Sequence, residues 1–249
     1  MKGRLLLATL NDPYSNVAAE EAIFDCMDAP AVRVWENQLS VVIGRAQLAS
    51  AETDMGYCRQ NLIPVVRRFT AGGAVYNGPG NLNWSLFVPR GLEAGRLRYV
   101  REPAAMFEQA AALLIEALSE YEERLEFRRP NRIALRGKKV SGMAGYIGQN
   151  GLLCHGTLLC GADLDLVQRL TRPSGKEVPR RYPRSAFSPV ANLGVKRDEF
   201  VEALVCALHF EVVEEGMSEE EASLTESLVL RKYSRDGWNL GDPFSLDYG

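Results

Sequence analysis

The sequence has no CxxC pair and only two histidines, His155 and His209, so a zinc site is poorly supplied. Its five cysteines, Cys26, Cys58, Cys154, Cys160 and Cys206, stand singly. An odd cysteine count without a secretory leader points to a reducing cytosol and excludes a disulfide framework. The apolar start, Met1 to Leu10, has no long apolar region and no small-residue cleavage site. No window approaches the ~20 apolar residues of a membrane helix. There is no Lys/Arg-rich tail, and a net charge of −3 supplies no basic field for nucleic acid. No Pro/Gly/Ser linker and no internal repeat divide the chain. These absences leave a cytoplasmic protein, read as one domain over residues 1–249, with neither nucleic acid nor membrane as a partner.

Hydrophobic periodicity supplies the elements. Lys2 to Thr9 reads as a strand. Asn16 to Met27 reads as a helix with a polar start at Ser15 or Asn16 and an apolar face of Ala19, Ala22, Ile23 and Cys26. Ala31 to Trp35, Ser40 to Ile43, Pro64 to Arg68, Gly73 to Tyr76 and Asn81 to Pro89 read as strands. Glu102 to Leu118 is the clearest helix, with Met106, Ala110, Leu113, Leu114 and Leu118 at helical spacing. Ile133 to Leu135, Lys139 to Ser141 and Leu152 to Leu159 alternate with glycine turns, as in a sheet. Leu164 to Leu170, Arg197 to Leu208 and Glu219 to Tyr233 read as further helices. Without regular βαβ alternation, the fold class is α+β, with a central mixed or antiparallel sheet flanked by helices.

Two segments carry chemistry. In Arg67 to Ser85, RRFTAGGAVYNGPGNLNWS, two arginines end an apolar strand and lead into a small-residue loop. Without bulky side chains, backbone N–H groups there can approach a phosphate or carboxylate closely, and an adjacent arginine adds a forked donor. The loop is neither a Walker loop nor a GxGxxG turn. On composition alone, a tight hairpin with solvated arginines stands level with a phosphate site. In Asn131 to Leu159, Lys138 and Lys139 precede the small-residue strand Ser141-Gly142-Met143-Ala144-Gly145. A lysine held against such a surface can place its ammonium on a ligand anion. The bland alternative is an exposed lysine pair on a hairpin. His155 in its apolar run reads more simply as a satisfied core residue, and Cys154 and Cys160 as small hydrophobes.

Together these segments resemble the lipoate-protein ligase family of the biotin/lipoate ligase superfamily. RRFTAGGAVYNGPGNLN resembles its RRxxGGGAVxHDxGNLN block, and GKKVSGMAG with HGTLL resembles its KxSGxAx…HGTLL block. SVVIGRAQ, ADLDLVQRL, SPVANL and KYSRDGWNLG follow in the family's order across nearly the whole chain. The resemblance implies a class II synthetase-like fold. It implies a two-step reaction in which lipoate and MgATP give lipoyl-adenylate, and a lysine of a lipoyl carrier protein then takes the acyl group and releases AMP. Carried over by residue, Arg68, Gly72, Gly73, Ala74, Val75, Tyr76 and Asn83 are expected at the ATP and adenylate. Lys139 is expected at both nucleotide and lipoyl carbonyl, as the catalytic residue. Arg68, Thr70, Asn77, Gly142, Ala144, His155 and Thr157 are expected at the lipoyl group. No protein-held metal is expected, Mg2+ arriving with ATP.

The sequence departs from the pattern at Ala71, where the family has a first glycine, at Asn77 and Gly78 in place of histidine and aspartate, and at Arg132, where many relatives have aspartate. Acyltransferases that share the fold work through a cysteine just before the position of Pro130-Asn131; here Glu126 to Arg129 holds none. An amide-forming transfer needs an activated acyl group, so the missing cysteine favours the adenylate. A cysteine-independent octanoyl or lipoyl transferase, a biotin ligase and a non-catalytic carrier-binding homologue are the alternatives. Single-chain relatives often add a C-terminal accessory domain, whereas this sequence stops soon after Trp238 and Asn239. The expectation is the catalytic subunit of a two-chain ligase with a separate accessory subunit.

Overall fold

The computed structural model describes residues 2–172 and 178–245. Strand β1 (Gly3–Leu6) leads into α1 (Pro13–Cys26), which starts earlier than its apolar pattern suggests. Asp12 caps it, accepting from the backbone N–H groups of Tyr14 and Ser15, and Pro13 occupies the first turn, where its missing N–H costs nothing. Strands β2 (Ala31–Trp35) and β3 (Ser40–Ile43) fall where their β-branched residues place them. Two short helices, α2 (Ala49–Glu52) and α3 (Met55–Gln60), then intervene; neither is long enough to show a period.

Strands β4 (Val65–Arg67), β5 (Val75–Asn77) and β6 (Asn81–Pro89) follow, then a small ribbon of β7 (Glu93–Ala94) and β8 (Leu97–Arg98). Helix α4 (Pro103–Ala117) precedes β9 (Leu125–Arg128), β10 (Arg132–Leu135), β11 (Lys138–Ile147) and β12 (Gly151–Leu159). The C-terminal third holds α5 (Leu164–Thr171), α6 (Arg197–Ala207), β13 (Val212–Glu214), α7 (Glu219–Leu228) and α8 (Asp236–Leu240). The single helix expected over Glu219 to Tyr233 breaks at its end into a π-helical turn, Val229–Tyr233.

The architecture is α+β. Eight strands form a mixed sheet in the order β13-β1-β2-β6-β12-β11-β10-β9, parallel only where β1 meets β13 and β2. A second sheet has the order β4-β3-β5. Helices α4 and α6 cover one face of the large sheet, burying Met106, Leu113, Leu114, Phe200 and Leu204 against Leu86, Val88, Leu152 and Cys154. On the small-sheet side, Val17, Ala18 and Ala22 of α1 pack with Val42, Val66, Tyr233 and Trp238. None of the described helices is long and apolar enough to cross a membrane.

Register decides what the large sheet presents on the face away from α4. Arg33 pairs Ser85, Ser85 pairs His155 and His155 pairs Ala144; Trp35 pairs Asn83, Asn83 pairs Thr157 and Thr157 pairs Gly142. Directly paired residues share a face, so these eight side-chain positions form one surface.

Candidate functional site

Six of those positions, Trp35, Asn83, Gly142, Ala144, His155 and Thr157, form one wall of a cavity of about 550 Å³. The loop after β4 and residues 183–188 close it from the other side. Of the residues expected at the site, Arg68, Gly72, Gly73, Ala74, Val75 and Asn77 line the cavity from the small sheet. Asn83, Lys139, Gly142, Ala144, His155 and Thr157 line it from the large sheet. Two do not. Thr70 is fully buried behind the wall, bonded to His155. Tyr76 points into a separate core with Val41 and Ile63, its hydroxyl donating to the Pro79 carbonyl. Alternation along β5 explains the split, since Val75 and Asn77 face the cavity and Tyr76 the opposite side.

The glycine-rich loop is held from inside. Arg68 is buried, and its guanidinium donates to the carbonyls of its own loop: Nη2 to Ala71 at 2.7 Å and Gly73 at 2.8 Å, Nε to the Thr70 hydroxyl at 3.0 Å. Its Nη1 donates to the Val42 carbonyl at 3.3 Å. Arg68 therefore shapes the loop first, a scaffolding role its motif position did not reveal. Burial lowers its guanidinium to about 10, against the attraction of Glu20. Gly72 takes a left-handed φ of 95°, and a Cβ there would stand 2.8 Å from Arg68 Nη2, so glycine is required on both counts. Ala71, the departure from the family's glycine, is exposed at the cavity's edge, and its carbonyl accepts from Arg68 Nη2.

Lys139 reaches the cavity through a β-bulge. Ile133 pairs Ser141, but the next residue, Ala134, pairs Lys139, leaving Val140 as the extra residue of β11. An odd step along a regular strand would put Lys139 and Gly142 on opposite faces; the bulge returns them to the same one. Burial, with Arg68 and Arg132 nearby, lowers the Lys139 ammonium to about 8. Arg132, the departure from the family's aspartate, also lines the cavity and donates to the Ser188 hydroxyl at 3.2 Å. Among the described residues the lining thus carries Arg68, Arg129, Arg132, Lys139 and Arg184 against a single acidic residue, Glu20, and is suited to anions.

Glu20 and Ser185 were missed by the sequence reading. Glu20 sits on the buried side of α1, where its Oε2 accepts from His155 Nδ1 at 2.6 Å and its Oε1 accepts from the Ser85 hydroxyl. Burial raises the Glu20 carboxyl, but His155, Arg33 and Ser85 outweigh it and hold it below the usual carboxylate range. The available signal was an acid four residues after Asn16, inside a run of alanines on the apolar face. His155, read as a plain core residue from its strand, is part of the cavity wall. Ser185 lies across the glycine-rich loop, its Oγ accepting from the Ala74 N–H at 2.8 Å. Glu52 fixes that segment, accepting from Arg184 Nε at 2.8 Å and from the Ser185 N–H at 2.8 Å. No motif marked this contact, which joins residues more than a hundred positions apart.

No cysteine lines the cavity among the described residues. Cys154 neighbours His155 in β12 but faces the opposite core, and burial pushes its thiol far up. The Cys160 thiol is pushed up to about 12 by burial.

Comparison with known proteins places this geometry. Residues 12–209 match the family described as the lipoyl protein ligase A/B catalytic domain. Lipoate-protein ligase A subunit 1 of Thermoplasma acidophilum is 30% identical, over 97% of each chain. The structure of a bi-partite lipoate protein ligase from the same organism superposes with a TM-score of 0.82 at 28% identity, covering 97% of each chain. A lipoate-protein ligase A bound with ATP superposes with a TM-score of 0.80 at 29% identity, covering 97% of this chain and 99% of that one.

Proposed function

The chain belongs to the lipoyl protein ligase A/B catalytic-domain family, and we propose that it activates lipoate with ATP and transfers the lipoyl group to a lysine of a lipoyl carrier protein. The observation that carries this reading is Lys139, brought by the bulge onto the face it shares with Gly142, in one cavity with Arg68 and the glycine-rich loop. In the first step a lipoate carboxylate oxygen bonds to the α-phosphorus of ATP and pyrophosphate leaves. The Lys139 ammonium neutralises charge on the carboxylate and the α-phosphate, in a partly dry site where such pairing counts most. In the second step the carrier amine attacks the lipoyl carbonyl, loses a proton, and AMP leaves. Small residues, Gly142 and Ala144, leave room between the sheets for an apolar chain.

A resident metal does not fit the donors present. The only carboxylate in the lining among the described residues, Glu20, has both oxygens committed to His155 and Ser85. Magnesium enters this reading as the companion of the nucleotide phosphates. A thioester route is disfavoured by the placement of Cys154 in the opposite core.

Two further parts of the reading rest on the relatives. The match over 97% of a chain named subunit 1, and the superposition on a bi-partite ligase studied with its E2 lipoyl domain, support a carrier protein as acceptor and a separate accessory subunit. Five free cysteines support a reducing, cytoplasmic setting.

The test is to incubate the protein with lipoate, MgATP and a lipoyl domain, with and without a candidate accessory chain, and weigh the lipoyl domain. An ATP-dependent gain of one lipoyl group is expected. Modification from an octanoyl-carrier protein without ATP, or no product in any mixture, overturns the reading.

A further inference from the structure

We propose that Glu20 is a positioning residue that sets the direction of a buried hydrogen-bond chain running through His155 and Thr70 to Arg68, and thereby holds the glycine-rich loop in shape. The proposal rests on the ligase reading only for its kinetic consequence.

With a neutral imidazole the chain runs in one direction. An ionised carboxylate only accepts, so at 2.6 Å the His155 Nδ1 must carry the proton and donate to Glu20. In the neutral ring Nε2 is then an acceptor, and the Thr70 hydroxyl at 2.8 Å donates to it. With its proton committed, the Thr70 oxygen offers a lone pair to Arg68 Nε–H at 3.0 Å. That contact fixes the guanidinium plane from which Nη2 clamps the carbonyls of Ala71 and Gly73. On the other side Ser85 donates to Glu20 and accepts from Trp35 Nε1 at 3.5 Å. Every link lies at buried residues, where a wrongly oriented donor has no water to turn to.

Glu20 is the point from which both arms take their polarity, because it is the only member restricted to accepting. An amide in its place can present N–H to His155, which moves the ring proton to Nε2. The ring would then donate to the Thr70 oxygen, which already accepts from Arg68 Nε, and the buried Thr70 proton would lose its acceptor. The register places all of this at the cavity wall: Ser85 pairs His155, and His155 pairs Ala144.

The test uses nitrogen-labelled histidine and arginine NMR on the whole chain without substrate. The chain has two histidines, so His209→Gln, at an exposed surface position, assigns the His155 signals. The wild type is expected to show the Nδ1–H tautomer of His155 and a slowly exchanging Arg68 Nε–H signal. In Glu20→Gln the tautomer changes, the Arg68 signal is lost, and kcat/KM for pyrophosphate release falls at least ~10-fold, with melting within ~4 °C of wild type. If Glu20→Gln does not fold, Thr70→Val breaks the same chain at a neutral link and should give the same kinetic loss, which Thr70→Ser restores. An Nε2–H tautomer or a doubly protonated His155 ring in the wild type overturns the proposal, as do an unchanged Arg68 signal in Glu20→Gln or Thr70→Val at full rate. Absence of pyrophosphate release from the wild type would instead strike the ligase reading, and the NMR arm would still decide the role of Glu20.

Discussion

The side chain of Lys139 lies folded over Gly142, where a Cβ would stand 2.4 Å from both its Cε and its Nζ. Gly142 is therefore the seat of the ammonium as well as part of the acyl-sized space. Its φ is not left-handed, so alanine suits the backbone and only the flexible lysine must move. Gly142→Ala is expected to leave melting within ~4 °C of wild type while lowering pyrophosphate release at least ~10-fold, equivalent to ~1.4 kcal/mol of barrier. A normal rate in this variant would mean that the ammonium's position does not matter.

The Lys139 ammonium, lowered to about 8 by burial and by two neighbouring guanidiniums, gives a pH signature. Below that pH it is charged and holds an anion; above it the charge is lost. Affinity for lipoate, measured by titration calorimetry, should weaken as pH rises through about 8, by up to ~10-fold per pH unit. The stability effect has the opposite sense. The folded value lies below the unfolded one, so the unfolded chain binds the proton more tightly, and stability rises with pH between about 8 and the ordinary lysine value. Lys139→Met should abolish pyrophosphate release, flatten the binding profile and remove that slope in urea denaturation.

What was legible in the sequence divides along the range of the forces involved. β2, β3 and β6 could be read because alternation and β-branching are local. Strand β13 could not, because it exists only as the parallel partner of β1, more than two hundred residues away. At the site, the motif positions found Arg68, Lys139 and most of the cavity wall, but not how those residues act. Lys139 depends on a bulge at Val140 that no local pattern announces. Glu20 lies on a helix whose other buried residues are mostly small and apolar, so only its partners on β6 and β12 explain it. Tyr76 faces the other core because the motif match carries every residue of a segment over alike, whereas β5 alternates its faces.

Ser185 bears on nucleotide binding. Its hydroxyl occupies the Ala74 N–H, one of the backbone donors expected to meet a phosphate, and it also accepts from Gln47 at 3.0 Å. A nucleotide using that N–H must displace the hydroxyl. Ser185→Ala removes the competitor, and ATP is expected to bind ~2- to 5-fold more tightly, a difference of up to ~1 kcal/mol. Weaker binding in Ser185→Ala, measured by calorimetry at fixed salt, would show that the hydroxyl helps hold the nucleotide instead.

The loop is also tied to the C-terminal helix, through the residue before Arg68. Arg67 is fully buried and pairs reciprocally with Trp238: Arg67 Nε donates to the Trp238 carbonyl at 2.7 Å, and Trp238 Nε1 donates to the Arg67 carbonyl at 2.7 Å. The guanidinium also donates to the carbonyls of Gln47 at 2.5 Å and Gly241 at 3.0 Å, bridging the segment after β3 to the end of α8. Trp238→Phe keeps most of the apolar contact but strands a buried carbonyl, at a cost of ~1–3 kcal/mol. Arg67→Met strands several and should cost more. Because the two side chains serve each other's backbone, their effects should not add: a urea double-mutant cycle is expected to give a coupling of ~0.5–3 kcal/mol. Additivity within ~0.3 kcal/mol would make them independent residues, and the tie between α8 and β4 would then rest on the Asn239 side chain, which accepts from the Arg67 N–H at 2.9 Å, and on apolar packing.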